Sequence, residues 1–219
     1  MFSGIVSGLG SIKSIKDKND IVSIEIKAPK NFSKKLQKGA SVSVDGVCLT
    51  AKNSNSDIIK FDVIEETLSR STLGNFVKGQ KVNLERSITS SSEIGGHLMS
   101  GHIHGVAKIL DISAKESSID MKISIPKGKG KYILEKGYVG INGCSLTVGK
   151  VNKAHFNIHL IPETLKVTNL GTLGKKDKIN IELDQSTVTI VDISISRLTG
   201  PGCIKIASSC AIANLSELI

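Results

Sequence analysis

At 219 residues with 39% hydrophobic side chains, the chain can bury one core or two small ones, and no run of it stays apolar long enough to cross a bilayer. A formal charge of +9 would suit an anionic partner, yet the lysines are scattered, and five Phe, two Tyr and no Trp offer little for bases to stack on, which argues against nucleic acid. The start lacks a basic stretch followed by an apolar one, so the expected location is cytoplasmic, and Cys48, Cys144, Cys203 and Cys210 show no CxxC or disulfide-like spacing and are expected as reduced thiols.

In chain order, the first part reads as short alternating segments bounded by Gly, Asn, Asp and Lys: IVSIEIKAP, ASVSVDG, IKFDVIEET and QKVNLER, with a helical turn near 31–36. Later come IDMKISIP, FNIHLIPET and DKINIEL, with a turn near 130–134. A period of two marks half-buried strands. Five or six short strands per part predict a small antiparallel barrel, because closure removes exposed sheet edges. Beyond 184, Val188, Val191, Ile195 and Leu198 recur at steps of three and four, which predicts a helix ending before Gly200. It is a candidate for subunit contact or for packing on its own barrel.

The two parts are copies. At an offset of 97, residues 42–85 match 139–182 with fifteen identities in forty-four columns, where composition alone gives about three. VDGVCLT falls on INGCSLT, IEETL on IPETL, and KVNLE on KINIE. The expected fold is all-β: two tandem closed six-stranded antiparallel barrels plus a C-terminal helix. Their bounds are 1–97 for the first barrel and linker, 98–184 for the second barrel, and 185–219 for the helix and tail.

The repeat also explains GGHLMSGHIHG (95–105), which crowds three of five histidines into eleven residues. FSGIVSG near the start aligns with MSGHIHG, so this segment opens the second copy. Read as zinc ligands, His97, His102 and His104 fail: 102 and 104 share one face of a strand, 97 lies outside it, and no carboxylate or thiol completes a tetrahedral set. A phosphate loop fails too, since the glycines precede a strand rather than open a helix. No metal is expected.

Where copies differ, a reactive group has been added or exchanged. His102 aligns with Ile5, Cys48 with Ser145, and Asp62 with His159, while Thr50 and Thr147, Glu66 and Glu163, and Thr67 and Thr164 are matched. Matched polar groups with a few differing reactive ones predict two similar pockets with inequivalent roles.

Taken together, the MFSGIV start, DGVCLT, EETL, EIGGHLMSGH, NGCSLTV, HLIPETL and NLG resemble the riboflavin synthase family over residues 1 to about 184. The resemblance implies two lumazine-binding barrels and a cofactor-free dismutation of two molecules of 6,7-dimethyl-8-ribityllumazine. It also implies a homotrimer whose site forms between the first barrel of one chain and the second barrel of the next. The sequence leaves association with lumazine synthase open. Ser3, Ala51 and His104 depart mildly from the family pattern, and the tail GPGCIKIASSC does not resemble its trimer helix.

Carried over residue by residue, the first pocket comprises Gly4, Ile5, Val6, Cys48, Leu49, Thr50, Asp62, Val63, Ile64, Glu65, Glu66 and Thr67. The second comprises Gly101, His102, Ile103, Lys136, Ser145, Leu146, Thr147, Ile161, Pro162, Glu163, Thr164, Leu165 and Lys166. The implied catalytic residues are Cys48, His102, Ser145 and Phe2. His102 suits proton transfer near neutrality, and Cys48 serves either as nucleophile or as polar partner to an added hydroxide. Ser145, Thr147 and Thr50 would hydrogen-bond the pteridine edge, and Lys136 with backbone groups would steady an anion.

Overall fold

The computed structural model describes residues 1–199 except 19 and 56. The tail from residue 200, with Cys203, Cys210 and the rest of the expected 185–219 segment, lies outside the described residues. The first copy supplies β1 (Gly8–Lys18), β2 (Ile21–Lys27), β3 (Ser41–Val44), β4 (Val47–Asn55), β5 (Ile58–Ile64) and β6 (Lys81–Arg86). They close into a barrel in the order β1-β2-β5-β4-β3-β6. Alternation does what the pattern predicts: on β5, Ile59, Phe61 and Val63 are buried among Ile24, Ile26, Val42 and Leu84, while Lys60 stays in water.

The second copy supplies β7 (Gly105–Ala114), β8 (Ile119–Ser124), β9 (Tyr138–Ile141), β10 (Cys144–Thr147), β11 (His155–Leu160) and β12 (Lys178–Leu183), in the order β10-β9-β12-β7-β8-β11. This barrel is nearly closed rather than closed. Between β10 and β11 the Gly149 N–H donates to Asn157 O at 2.7 Å, the Asn157 N–H donates to Lys150 O at 3.0 Å, and Val151 bridges Phe156. Gly149 stands where the first copy has Lys52, and a Cβ there would sit 2.8 Å from the His159 ring. β10 runs for four residues where β4 runs for nine.

Two helices replace strand ends that periodicity alone extends. IKFDVIEET and FNIHLIPET stop being strand at Ile64 and at Leu160, and α1 (Glu65–Arg70) and α2 (Pro162–Val167) follow. Glu65 and Glu66 complement the first turn of α1, and Pro162 begins α2, where its missing N–H costs nothing. Ser71 and Thr168 end them by donating their hydroxyls to the carbonyls of Thr67 and Thr164, both at 2.6 Å.

The barrels meet about a pseudo-two-fold axis. The β3–β4 turn (Asp45-Gly46) and the β9–β10 turn (Asn142-Gly143) have the positive φ angles of tight hairpins, and the two glycines pack backbone to backbone. Around them runs a buried polar seam. Asn83 Nδ2 donates to Asn142 O, and its symmetry mate Asn180 Nδ2 donates to Asp45 O, both at 2.9 Å. The Thr72 and Asn169 backbone N–H groups donate to Asn180 Oδ1 and Asn83 Oδ1.

The third helix, α3 (Gln185–Thr199), settles on the second barrel: Val188 packs on its core, and Asp192 accepts from Tyr132 OH at 2.6 Å and Lys131 Nζ at 3.1 Å. Ile190 and Ile193 remain in water.

Candidate functional site

The opening segments of the two copies cross between barrels. Phe2 and Met99, equivalent in the repeat, exchange backbone hydrogen bonds of 2.8 and 3.0 Å on the pseudo-axis. A buried carboxylate holds each segment: Glu85 accepts from Ser3 N–H, Ser3 O–H and Gly4 N–H, and Glu182 accepts from Ser100 N–H, Ser100 O–H and Gly101 N–H. Burial pushes both carboxyls above their ordinary range, against the pull of these donors.

Each segment then docks on the opposite barrel. The Cys48 N–H donates to Gly101 O and the Ser145 N–H to Gly4 O, both at 2.8 Å. Val6 is buried in the second core, and Ile103 packs on the first. The expected grouping is therefore corrected. Residues 4–6 lie with Ser145, and 101–103 lie with Cys48, because a strand that begins on the pseudo-axis must cross to the facing barrel before it turns into its own.

Two glycines make the crossing possible. Gly4 (φ +74°) and Gly101 (φ +82°) hold left-handed backbone that other residues resist. A Cβ on Gly4 would sit 2.5 Å from Ser145 Cβ, and one on Gly101 would sit 2.6 Å from Cys48 Cβ.

At the first site this leaves an open cavity of about 440 Å³ lined by Val47, Cys48, Glu66, Thr67, Arg70, Ser71, Gly101, His102 and Ile103, a size that suits a small heterocycle. Cys48 is half-buried, His102 is exposed, and Arg70 Nε pairs with Glu66 at 3.2 Å. Leu49 and Val63 point into the core, so only their main chain could meet a ligand. Thr50, Ile64 and Glu65 are exposed, and Asp62 pairs with Lys52. Phe2, expected among the catalytic groups, is buried with its ring against Gly101 and supports the cavity from behind.

The second site is arranged differently. Ser145 Oγ lies 2.6 Å from His97 Nδ1, and the His97 ring stacks on Tyr138 with centroids 5.2 Å apart. The linker's Gly95 packs against Ile5. Leu146 and Leu165 are half-buried on the core, Thr164 is half-buried, and Thr147, Ile161, Pro162, Glu163 and Lys166 are exposed. Lys136 is exposed on the loop before β9, its backbone N–H held by Val148 O at 2.9 Å. Cys144, one residue from Ser145, is a core side chain whose thiol burial pushes up to about 12.

The three clustered histidines go three ways: His97 to Ser145, His102 to the first cavity, and His104 to the Leu183 N–H, which its Nδ1 accepts at 3.2 Å. Sequence reasoning set His97 aside because a strand repeat could not place it. The signal was there in its position, one residue before the start of the second copy, where the linker must reach the second barrel.

Two similar barrels, each offering a site built partly by the other copy's opening segment, define a duplicated binding protein for small ring compounds. Residues 3–87 and 100–184 each match the lumazine binding domain. The chain is 42% identical over 193 residues to riboflavin synthase of Escherichia coli (strain K12), covering 88% of this chain and 91% of that protein. It is 43% identical over 192 residues to riboflavin synthase of Chlamydia pneumoniae, covering 88% and 94%. Among solved structures, LumP complexed with riboflavin superposes with a TM-score of 0.79 at 32% identity, covering 84% of this chain and all of the other. LumP with 6,7-dimethyl-8-(1'-D-ribityl) lumazine gives 0.77 at 32% and the same coverage. The chain belongs to the riboflavin synthase family.

Proposed function

We infer that this protein is a riboflavin synthase, a transferase that dismutes two molecules of 6,7-dimethyl-8-ribityllumazine into riboflavin and 5-amino-6-(ribitylamino)uracil. The observation that carries the reading is the pair of pseudo-symmetric sites, within a chain 42% identical to a riboflavin synthase over 88% of its length. Two like substrates need two like pockets, and holding them in fixed register turns a bimolecular encounter into a positioned one.

His102 serves as the base for the acidic C7 methyl of one lumazine, and Cys48, beside it in the same cavity, faces the other reacting ring as nucleophile or as partner to an added hydroxide. Thr50, Ser145 and Thr147 hold the heterocycle edges, and Lys136 steadies the anion. No cofactor enters the scheme.

The functional unit in this reading is a homotrimer, with the first site of one chain facing the second site of its neighbour. Ile5, Ile64 and Ile161 at the sites, and Ile190 and Ile193 on α3, are between 48% and 65% exposed, which a partner chain would relieve. An assembly with lumazine synthase belongs to the same reading and is checked by co-sedimentation of the two purified proteins. Among the described residues no helix is long and apolar enough to cross a membrane.

The test is purified protein with the lumazine in EDTA. One riboflavin formed per two lumazines consumed supports the enzyme. Tight binding with the ligand unchanged sinks it in favour of the alternative that the family resemblance leaves, a non-catalytic lumazine- or flavin-binding antenna protein.

A further inference from the structure

His97 lies in the linker, one residue before the position that aligns with Met1 at the offset of 97. The ring is 7% exposed, stacks on Tyr138 at an interplanar angle of 17°, and brings Nδ1 to 2.6 Å from Ser145 Oγ. The other nitrogen, Nε2, is buried with no hydrogen-bond partner among the described residues. Burial disfavours the imidazolium, with Asp184 opposing it from a distance, so the ring is neutral near pH 7.

A neutral imidazole carries one proton, and the surroundings choose where it sits. Placed on Nε2 it would be a buried N–H without a partner, an arrangement folded proteins rarely hold. Placed on Nδ1 it is donated to Ser145 Oγ, and Nε2 keeps a bare lone pair. That donation has a consequence for the serine. With a lone pair of Oγ occupied by His97, the Ser145 O–H turns away from the ring and is free to donate.

We propose that His97 is a positioning residue for Ser145: its Nδ1–H fixes the serine as a hydrogen-bond donor to the heterocycle bound at the second site, which makes that site the one that stabilises negative charge on the ring. The proposal rests on Ser145 touching the ligand, as in the function given above. It adds the linker to the substitutions within the barrels as a source of the inequivalence of the two duplicated pockets.

Three substitutions test it. His97→Phe keeps a ring to stack on Tyr138 but removes the donor; His97→Asn keeps an N–H near the Nδ1 position; His97→Gln carries its N–H too far along. Each is made alone and with Ser145→Ala, and thermal melting checks folding. His97→Phe is expected to lower the single-turnover rate ~10- to 100-fold, as loss of one aimed donor does. His97→Asn should recover most of the rate and His97→Gln should not. Added to Ser145→Ala, His97→Phe should cost nothing further.

Wild-type rates in His97→Phe, multiplicative losses in the double variant, or Asn no better than Phe would each overturn the proposal. Fluorescence titration with the lumazine keeps its failure apart from that of the parent reading. A wild type that binds two ligands per chain without making riboflavin breaks the assigned reaction. Even then, the role of His97 is decided by whether His97→Phe weakens one of the two binding events and spares the other.

Discussion

The two sites are built from the same parts and finished differently. Both use a glycine-hinged crossing segment pinned by a buried glutamate, and both present the third residue of a Gly-X-X-Leu-Thr stretch to that segment. The first ends as an open cavity with a thiol and an exposed imidazole. At the second, a hydroxyl takes the thiol's place, an isoleucine takes the imidazole's, and the linker brings in His97 from outside the repeat. Duplication supplied the matching geometry. Single substitutions and one connecting segment supplied the difference, which is the cheapest way to make a pair of like pockets act unequally.

The largest effect is expected where that shared geometry is broken. Gly101→Ala forces a left-handed residue to carry a Cβ against Cys48, and Gly4→Ala does the same against Ser145. Each should abolish riboflavin formation, a loss of more than about a hundredfold, while an equivalent change at exposed Gly39, where a Cβ meets nothing, costs only its backbone strain of ~1–2 kcal/mol. Activity within tenfold of wild type in Gly101→Ala would show that the crossing segment does not shape the first site.

Within the first site, single-turnover rates should rank the groups. Phe2→Ala empties the space behind Gly101, Cys48→Ala removes the cavity's thiol, and His102→Ala removes an exposed base whose task the substrate's own acidity shares. The expected order of damage is Phe2→Ala, then Cys48→Ala, then His102→Ala at about tenfold. Equal rates in the three variants would defeat it. Cys48→Ser and Ser145→Cys, which exchange the two sites' groups, sharpen the same point: if the sites are inequivalent, the two variants should not behave alike.

Much of this was legible in the chain itself. The offset of 97 gave the two tandem barrels and the aligned pairs, because strand alternation and turn residues are local and survive duplication. What the repeat hid was the crossing. Alignment of Gly4 with Gly101 says that two segments are alike, and it cannot say which barrel each one rests on. Helices α1 and α2 were missed for a related reason: six-residue helices leave hardly two turns of periodicity, and their acidic first turns sit directly after strand residues. His97 belonged to neither copy, so the test that found everything else passed over it.

The glutamate pins allow a measurement of stability rather than rate. Glu85→Ala leaves the Ser3 and Gly4 N–H groups and the Ser3 hydroxyl without their acceptor, and Glu182→Ala does the same to Ser100 and Gly101. Each should cost ~3 kcal/mol by urea unfolding, the penalty for stranding buried donors. Because the two pins are equivalent in the repeat, costs that differ by more than about 2 kcal/mol would mean that one crossing segment matters more to the fold than the other.

The smallest effect concerns the seam itself, where the repeat is again imperfect: the first hairpin turn carries Asp45 and the second Asn142. Asp45 is 2% exposed, accepts from the Asn83 N–H at 2.7 Å and Asn169 Nδ2 at 2.9 Å, and is pushed by burial from an ordinary 3.8 up to about 7. Lys81 and Lys178 line the small cavity beside it. A carboxyl that binds its proton more tightly in the folded state than in the unfolded one makes stability fall as pH rises, here from about 4 to about 7. Asn at this position accepts the same two hydrogen bonds without a charge to bury, as Asn142 does for the Asn180 N–H at 2.8 Å. The advantage of Asp45→Asn over wild type should therefore grow between pH 5 and pH 8 by ~2–3 kcal/mol, or about 5–10 °C in Tm. Parallel Tm curves for the two proteins across that range would mean that Asp45 is ionised in the fold at no cost, and that the asymmetry of the seam is without energetic consequence.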